Sequence, residues 1–221
     1  MGSLFLDALK CKNEGRAPVW LMRQAGRSLP EYRALRERHS IEELFHTPKL
    51  AAETTLLPID LLGVDAAILF SDILMIAEVF GFEVRFVEGK GPVIEPKITS
   101  PDQVEKLSAK NVKSTLACVA ETIRLVKKMS SLPLIGFCGG SFTVASYLIE
   151  GGSSKKELSQ TKTWAYAHPE SFHLLLEKIT QASIEYLKMQ IEAGVQALQV
   201  FDSWANSLTT SDFNTFCLRY L

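Results

Sequence analysis

The chain has 221 residues, 47% hydrophobic and 22% charged, which is enough apolar content to bury a core. With 24 basic against 25 acidic residues its net charge is -1, so there is no basic field to hold nucleic acid and any anion must be held by local arginines. Cys11, Cys118, Cys138 and Cys217 share no CxxC spacing and read as reduced thiols of a cytoplasmic protein. The first residues lack the basic and apolar regions of a signal peptide, and no apolar run approaches the ~20 residues of a membrane span.

Leu4 to Leu9 is a short amphipathic piece. Val19 to Met22 predicts a buried strand. It runs into Arg23-Gln24-Ala25-Gly26-Arg27, two cations four residues apart around a glycine. Guanidinium forks match carboxylate or phosphate, and a glycine lets the backbone come close, so this loop is a candidate anion site. Leu29 to His39 is charged and predicted helical. Thr47-Pro48 starts another helix, with Pro58 expected to kink or end it and Gly63 to close it.

Val64 to Phe70 is apolar after Asp65 and does not alternate, which predicts a strand buried on both faces, ending in Ser71-Asp72. Phe82 to Phe86 alternates like a hairpin arm, bounded by Gly89, Gly91 and Pro92. Ser100-Pro101-Asp102-Gln103 is a capping-box start, and one long helix is expected over 112–129. Leu132 to Cys138 is a third strand, ended by Gly139-Gly140. Helices follow over about 142–149, 156–166 and 170–193. Val195 to Phe201 is a fourth strand, ending in Asp202-Ser203, and a last helix starts near Ser211.

Strand and helix thus alternate four times, the pattern of a parallel α/β fold that carries its site at the carboxyl ends of its strands. An open doubly wound sheet and part of a (β/α)8 barrel both satisfy it. Neither GxGxxG nor GxxxxGK[ST] is present, which argues against a nucleotide site.

Several stretches together resemble the uroporphyrinogen decarboxylase family of heme biosynthesis: Met22 to Tyr32 (MRQAGRSLPEY), Phe70 to Leu74 (FSDIL), Gly136 to Gly139 (GFCG), Tyr147 to Gly152 (YLIEGG) and Phe201 to Ala205 (FDSWA). They stand in the family's order and spacing, from about residue 3 to the end. The resemblance implies a single (β/α)8 TIM-barrel domain over residues 1–221, with four βα units visible and the C-terminal part of the family's chain, including a functional histidine, without counterpart. It implies a carboxy-lyase that removes the four acetate carboxyls of uroporphyrinogen III with no metal and no cofactor, in a cytoplasmic homodimer.

The same resemblance implies the roles of site residues. Arg23 and Arg27 would bind substrate carboxylates, Arg23 also serving as proton donor or relay, and backbone N–H groups of Gln24, Ala25 and Gly26 would add donors. Asp72 would accept from pyrrole N–H groups and stabilise the cationic ring. Tyr147 and Ser203 would hydrogen-bond substrate carboxylates. Three residues depart from the family's habit: Ser28 where tyrosine is common, Ser141 where proline is usual, and Asn206 for glycine.

Plainer readings stand beside these. Two arginines can form surface ion pairs, Asp72 and Ser203 can cap helices, and Tyr147 can be core. Cys138 has no histidine or positive cluster to activate it. Two other functions compete. One is a zinc-dependent corrinoid or thiol methyltransferase of the related barrel class, which needs a His/Cys zinc set, and no H-x-C is present. The other is a chain that keeps the motifs but, with part of a barrel's strand edges open, does not act.

Overall fold

A computed structural model describes residues 3–22, 25, 28–153 and 157–221. Helix α1 (Leu4–Leu9) begins at Ser3, whose hydroxyl accepts the Leu6 N–H. The run Val19–Met22 is a correction: it forms no strand, and Val19, Leu21 and Met22 are exposed. A strand needs a neighbour to satisfy its N–H and C=O groups along its length. Here the pairing is local. The Asp65 N–H donates to the Val19 carbonyl, and the Asp65 carboxylate accepts the Val19 N–H at 2.7 Å. The same carboxylate takes a two-pronged guanidinium contact from Arg16 at 2.7 and 2.6 Å, which holds its pKa below the usual range.

Helix α2 (Pro30–Arg38) is followed by α3 (Ile41–His46), a helix the sequence reading passed over. Its signal was present: the Ser40 hydroxyl accepts the Glu43 N–H, in a Ser-x-x-Glu pattern. Helix α4 (Pro48–Leu62) does not end at Pro58 but continues to Leu62, where Gly63 closes it in the left-handed region. Pro58 is buried, so apolar contact of its ring offsets the one lost backbone bond. Strand β1 (Ala67–Ile68) is buried but shorter than expected, and α5 (Met75–Val79) follows.

Strands β2 (Glu83–Val87) and β3 (Gly91–Glu95) form the expected hairpin, with Glu83 opposite Glu95 and Val87 opposite Gly91. Helix α6 (Pro101–Lys106) starts as predicted, the Gln103 side chain accepting the Ser100 N–H. The single helix expected next is two, α7 (Val112–Thr115) and α8 (Ala117–Met129), interrupted at the buried Leu116. Then come β4 (Leu134–Gly139), α9 (Ser141–Glu150), α10 (Ser159–Ala167), α11 (Pro169–Ala193), β5 (Ala197–Phe201) and α12 (Thr210–Phe216). The fold is mixed α/β. Its main sheet has the order β1-β4-β5, with β1 parallel to β4 and Ala67 opposite Leu134.

The chain divides into two compact units, residues 1–72, 117–137 and 187–199, and residues 73–116, 138–186 and 200–221. In the first, Leu29, Tyr32, Leu35 and Leu44 form a buried cluster that also packs Ala25, Leu50, Leu57 and Phe70. In the second, Phe172 stands edge-on to Phe142 at 6.3 Å and to Phe216 at 5.3 Å. There Lys178 caps α6, its ammonium donating to the carbonyls of Val104, Glu105 and Leu107 at 2.7–2.8 Å.

One contact in the first unit braces β4 from the side. Gln190 is fully buried, and its amide acts as a one-residue strand: Oε1 accepts the Phe137 N–H at 2.9 Å and Nε2 donates to the Phe137 carbonyl at 2.8 Å. Gly136 makes room, since a Cβ there would stand 2.4 Å from Gln190 Oε1. Replacing Gln190 with leucine removes both amide bonds to Phe137 and leaves an apolar side chain against that backbone, at about 1–3 kcal/mol. Gln190→Leu should therefore lower the urea midpoint strongly with an unchanged denaturant slope, and a variant as stable as the parent would contradict this role.

Candidate active site at the carboxyl ends of the strands

Asp72 belongs to the first unit and lies in the loop after β1, half-buried. It does not cap the following helix, because Leu74 is the N-cap of α5. The chain just ahead of it is held firmly. The Phe70 N–H donates to Thr55 Oγ1 at 2.9 Å, and the Phe70 ring meets Tyr32 at 5.7 Å and Phe45 at 5.1 Å. Arg23, Gln24, Gly26 and Arg27 lie outside the described residues. Ala25, within the same loop, is half-buried and packs on the Leu29, Tyr32, Leu35 and Leu44 cluster, as Phe70 does. One apolar cluster therefore packs both Ala25 and Phe70, two residues before Asp72.

The second unit carries Tyr147 and Ser203. Tyr147 is half-buried on α9 and its ring lies on Trp204, with centroids 4.4 Å apart and planes tilted by 39°. Ser203 is exposed in the turn after β5. Between them is a residue that the sequence reading named only inside a motif. Asp202 Oδ1 accepts the Thr143 N–H at 3.0 Å and the Thr143 hydroxyl at 2.5 Å. Thr143 Oγ1 accepts the Trp204 N–H at 3.1 Å, and the Gly140 N–H donates to the Phe201 carbonyl at 2.9 Å. A Cβ at Gly140 would stand 2.5 Å from Asp202 Cβ and Cγ, so only glycine fits against this carboxylate. The doubled glycine closing β4 and the aspartate closing β5 were the readable signal for this junction.

The Asp202 carboxylate also shapes the thiols near it. Burial first, and then the Asp202 charge, push the Cys138 thiol up to about 12. Burial, with the charge of Asp202 and a hydrogen bond to it, pushes the Cys217 thiol up as well. Neither is a nucleophile at neutral pH, since the thiolate is the reactive form. Cys11 is exposed. A chromogenic thiol reagent at neutral pH should label Cys11 quickly and Cys138 and Cys217 only after denaturation. Fast labelling of either buried thiol in the folded protein would contradict the geometry.

Among the described residues, no group of three or more His, Cys, Asp or Glu is placed to hold a metal ion. No helix among them is long and apolar enough to cross a membrane. The second unit also holds a cavity of about 580 Å³ floored by Phe80, Val112 and Ala182 and rimmed by Lys110, Lys113 and Lys178. None of the sequence-predicted residues lines it.

These features define a mixed α/β protein with a parallel sheet, each unit carrying polar side chains just after its strands. The family model described as "Uroporphyrinogen decarboxylase (URO-D)" matches residues 2–221, and the chain belongs to that family. Among curated relatives, a uroporphyrinogen decarboxylase of Protochlamydia amoebophila is 54% identical over 98% of this chain and 59% of its own length. Those of Chlorobium phaeobacteroides and Desulfotalea psychrophila are 47% and 48% identical, over 99% and 100% of this chain and 62% and 65% of their own lengths. The chain thus spans about three-fifths of the length of the relatives it matches. Among solved structures, a methyltransferase from Methanosarcina mazei superposes with a TM-score of 0.65 at 23% identity, covering 77% of this chain and 51% of that one. That likeness is one of fold.

Proposed function

We propose that this sequence is the substrate-holding part of a uroporphyrinogen decarboxylase, which removes the four acetate carboxyls of uroporphyrinogen III to leave methyl groups and coproporphyrinogen III. The observation that carries the reading is the family match across residues 2–221. The substrate bears eight carboxylates, and the forks of Arg23 and Arg27 with the backbone donors of Gln24, Ala25 and Gly26 suit such anions. Decarboxylation needs an electron sink. A pyrrole ring protonated on carbon provides one: the carbon–carbon pair flows into the cationic ring, carbon dioxide leaves, the exocyclic methylene is protonated to the methyl group, and the ring carbon gives up its added proton to restore the pyrrole. Asp72 accepts from the pyrrole N–H groups and stabilises that cation. Arg23 relays a proton, and Tyr147 and Ser203 hydrogen-bond substrate carboxylates.

We further propose that residues 1–221 belong to a single (β/α)8 barrel domain in a cytoplasmic homodimer. The sequential order of strand and helix supports the barrel, and the family resemblance supports the dimer. The zinc-dependent methyltransferase reading is not favoured, because the curated relatives cited are all named decarboxylases. Stoichiometric tightly bound zinc in the purified protein would revive it.

The test is anaerobic incubation with uroporphyrinogen III, using the 221-residue chain alone and joined to the C-terminal remainder of the Protochlamydia relative. Chromatography should show hepta-, hexa-, penta- and tetracarboxylate products in turn. Asp72→Asn should lower turnover by about 100-fold or more, the scale of losing one preorganised electrostatic group, with an unchanged melting temperature. A folded chimera that releases no carbon dioxide would overturn the proposal.

A further inference from the structure

Within the second unit, the segments after β4 and β5 meet at one polar node. Thr143 is fully buried, and its hydroxyl is used in both directions. The Trp204 N–H can only donate, so the Thr143 proton must point to Asp202, which leaves the hydroxyl oxygen to accept from Trp204. Asp202 and Trp204 are thereby both tied to Thr143, and Ser203, the residue between them, is turned outward and exposed. Tyr147 stands four residues after Thr143 on α9, and residues so spaced share a helix face. One turn of α9 therefore grips the 202–204 segment twice, through the Thr143 hydroxyl on its backbone and the Tyr147 ring on the Trp204 ring. The far side of Tyr147 is also fixed, since its carbonyl accepts the N–H groups of Gly151 and Gly152.

We propose that Thr143 and Asp202 are positioning residues that set Tyr147 and Ser203 for substrate binding by holding Trp204 on Tyr147. This rests on the reading above of Tyr147 and Ser203 as carboxylate contacts. Groups already set in place lower the ordering cost of binding. Loss of the node therefore falls on KM, while the chemistry at Asp72 is untouched.

Thr143→Val keeps the shape of the side chain and removes both hydroxyl bonds, and Thr143→Ser restores the hydroxyl. In the chimera, Thr143→Val should raise KM for uroporphyrinogen about tenfold or more, since each of the two lost bonds is worth about 1 kcal/mol, with kcat within about twofold, and Thr143→Ser should return KM to near the parent's value. A second readout needs no turnover. With Trp20→Phe and Trp164→Phe as background, Trp204 emission should shift to the red and become more open to acrylamide quenching in Thr143→Val, and recover in Thr143→Ser. An unchanged spectrum refutes the node. A changed spectrum with unchanged KM refutes the positioning role. A parent protein that neither binds nor decarboxylates uroporphyrinogen sinks the functional reading and the substrate half of this proposal, while the fluorescence still decides whether the node holds Trp204 on Tyr147.

Discussion

The constraint on which the structure turns is the complete burial of β4. A strand buried on both faces has no water to satisfy its backbone, so every N–H and C=O must find a partner in the protein. β1 takes one edge of it, and the sheet order puts β5 on the other. The buried Gln190 amide supplies both a donor and an acceptor to Phe137. The sequence permits this by leaving side chains off the strand: Gly136 admits Gln190, and Gly140, just beyond the strand, admits Asp202.

That arrangement explains the chemistry available at the strand ends. A carboxylate pressed against a glycine backbone and held by a buried threonine is a fixed group, and it serves as an anchor. It sets the turn that exposes Ser203 and seats Trp204 on Tyr147. Asp72 has a different setting. It is half-buried, and Phe70 two residues before it is held by the Thr55 hydroxyl and by apolar packing.

Much of the organisation was legible in the residues. The run from Leu132 to Cys138 and the hairpin at Phe82 to Phe86 became the expected elements, and the run from Val64 to Phe70 became a buried strand of only two residues. Where the reading failed, a neighbour decided. Val19 to Met22 has a strand's composition, yet its backbone is tied to Asp65 and its side chains stay exposed. Pro58 reads as a kink or a stop; α4 does not stop there, the proline ring being buried, and ends at Gly63 as expected. For the candidate site, Asp72, Tyr147 and Ser203 were expectations drawn from motif. Asp202 and Thr143 were not singled out, because their importance lies in a contact spanning 59 residues of chain.

The sequence by itself determined the strand-forming runs that became β1, β4 and β5, the polar residues that follow them, and membership of the decarboxylase family, because residue pattern and motif are properties of neighbouring residues. Only the tertiary structure decided that Gln190 completes a strand, that Asp202 anchors while Ser203 is presented, and that both inner cysteines are silent. Each of those outcomes depends on burial and on partners distant in the chain, and these exist only once the backbone of β4 has been enclosed.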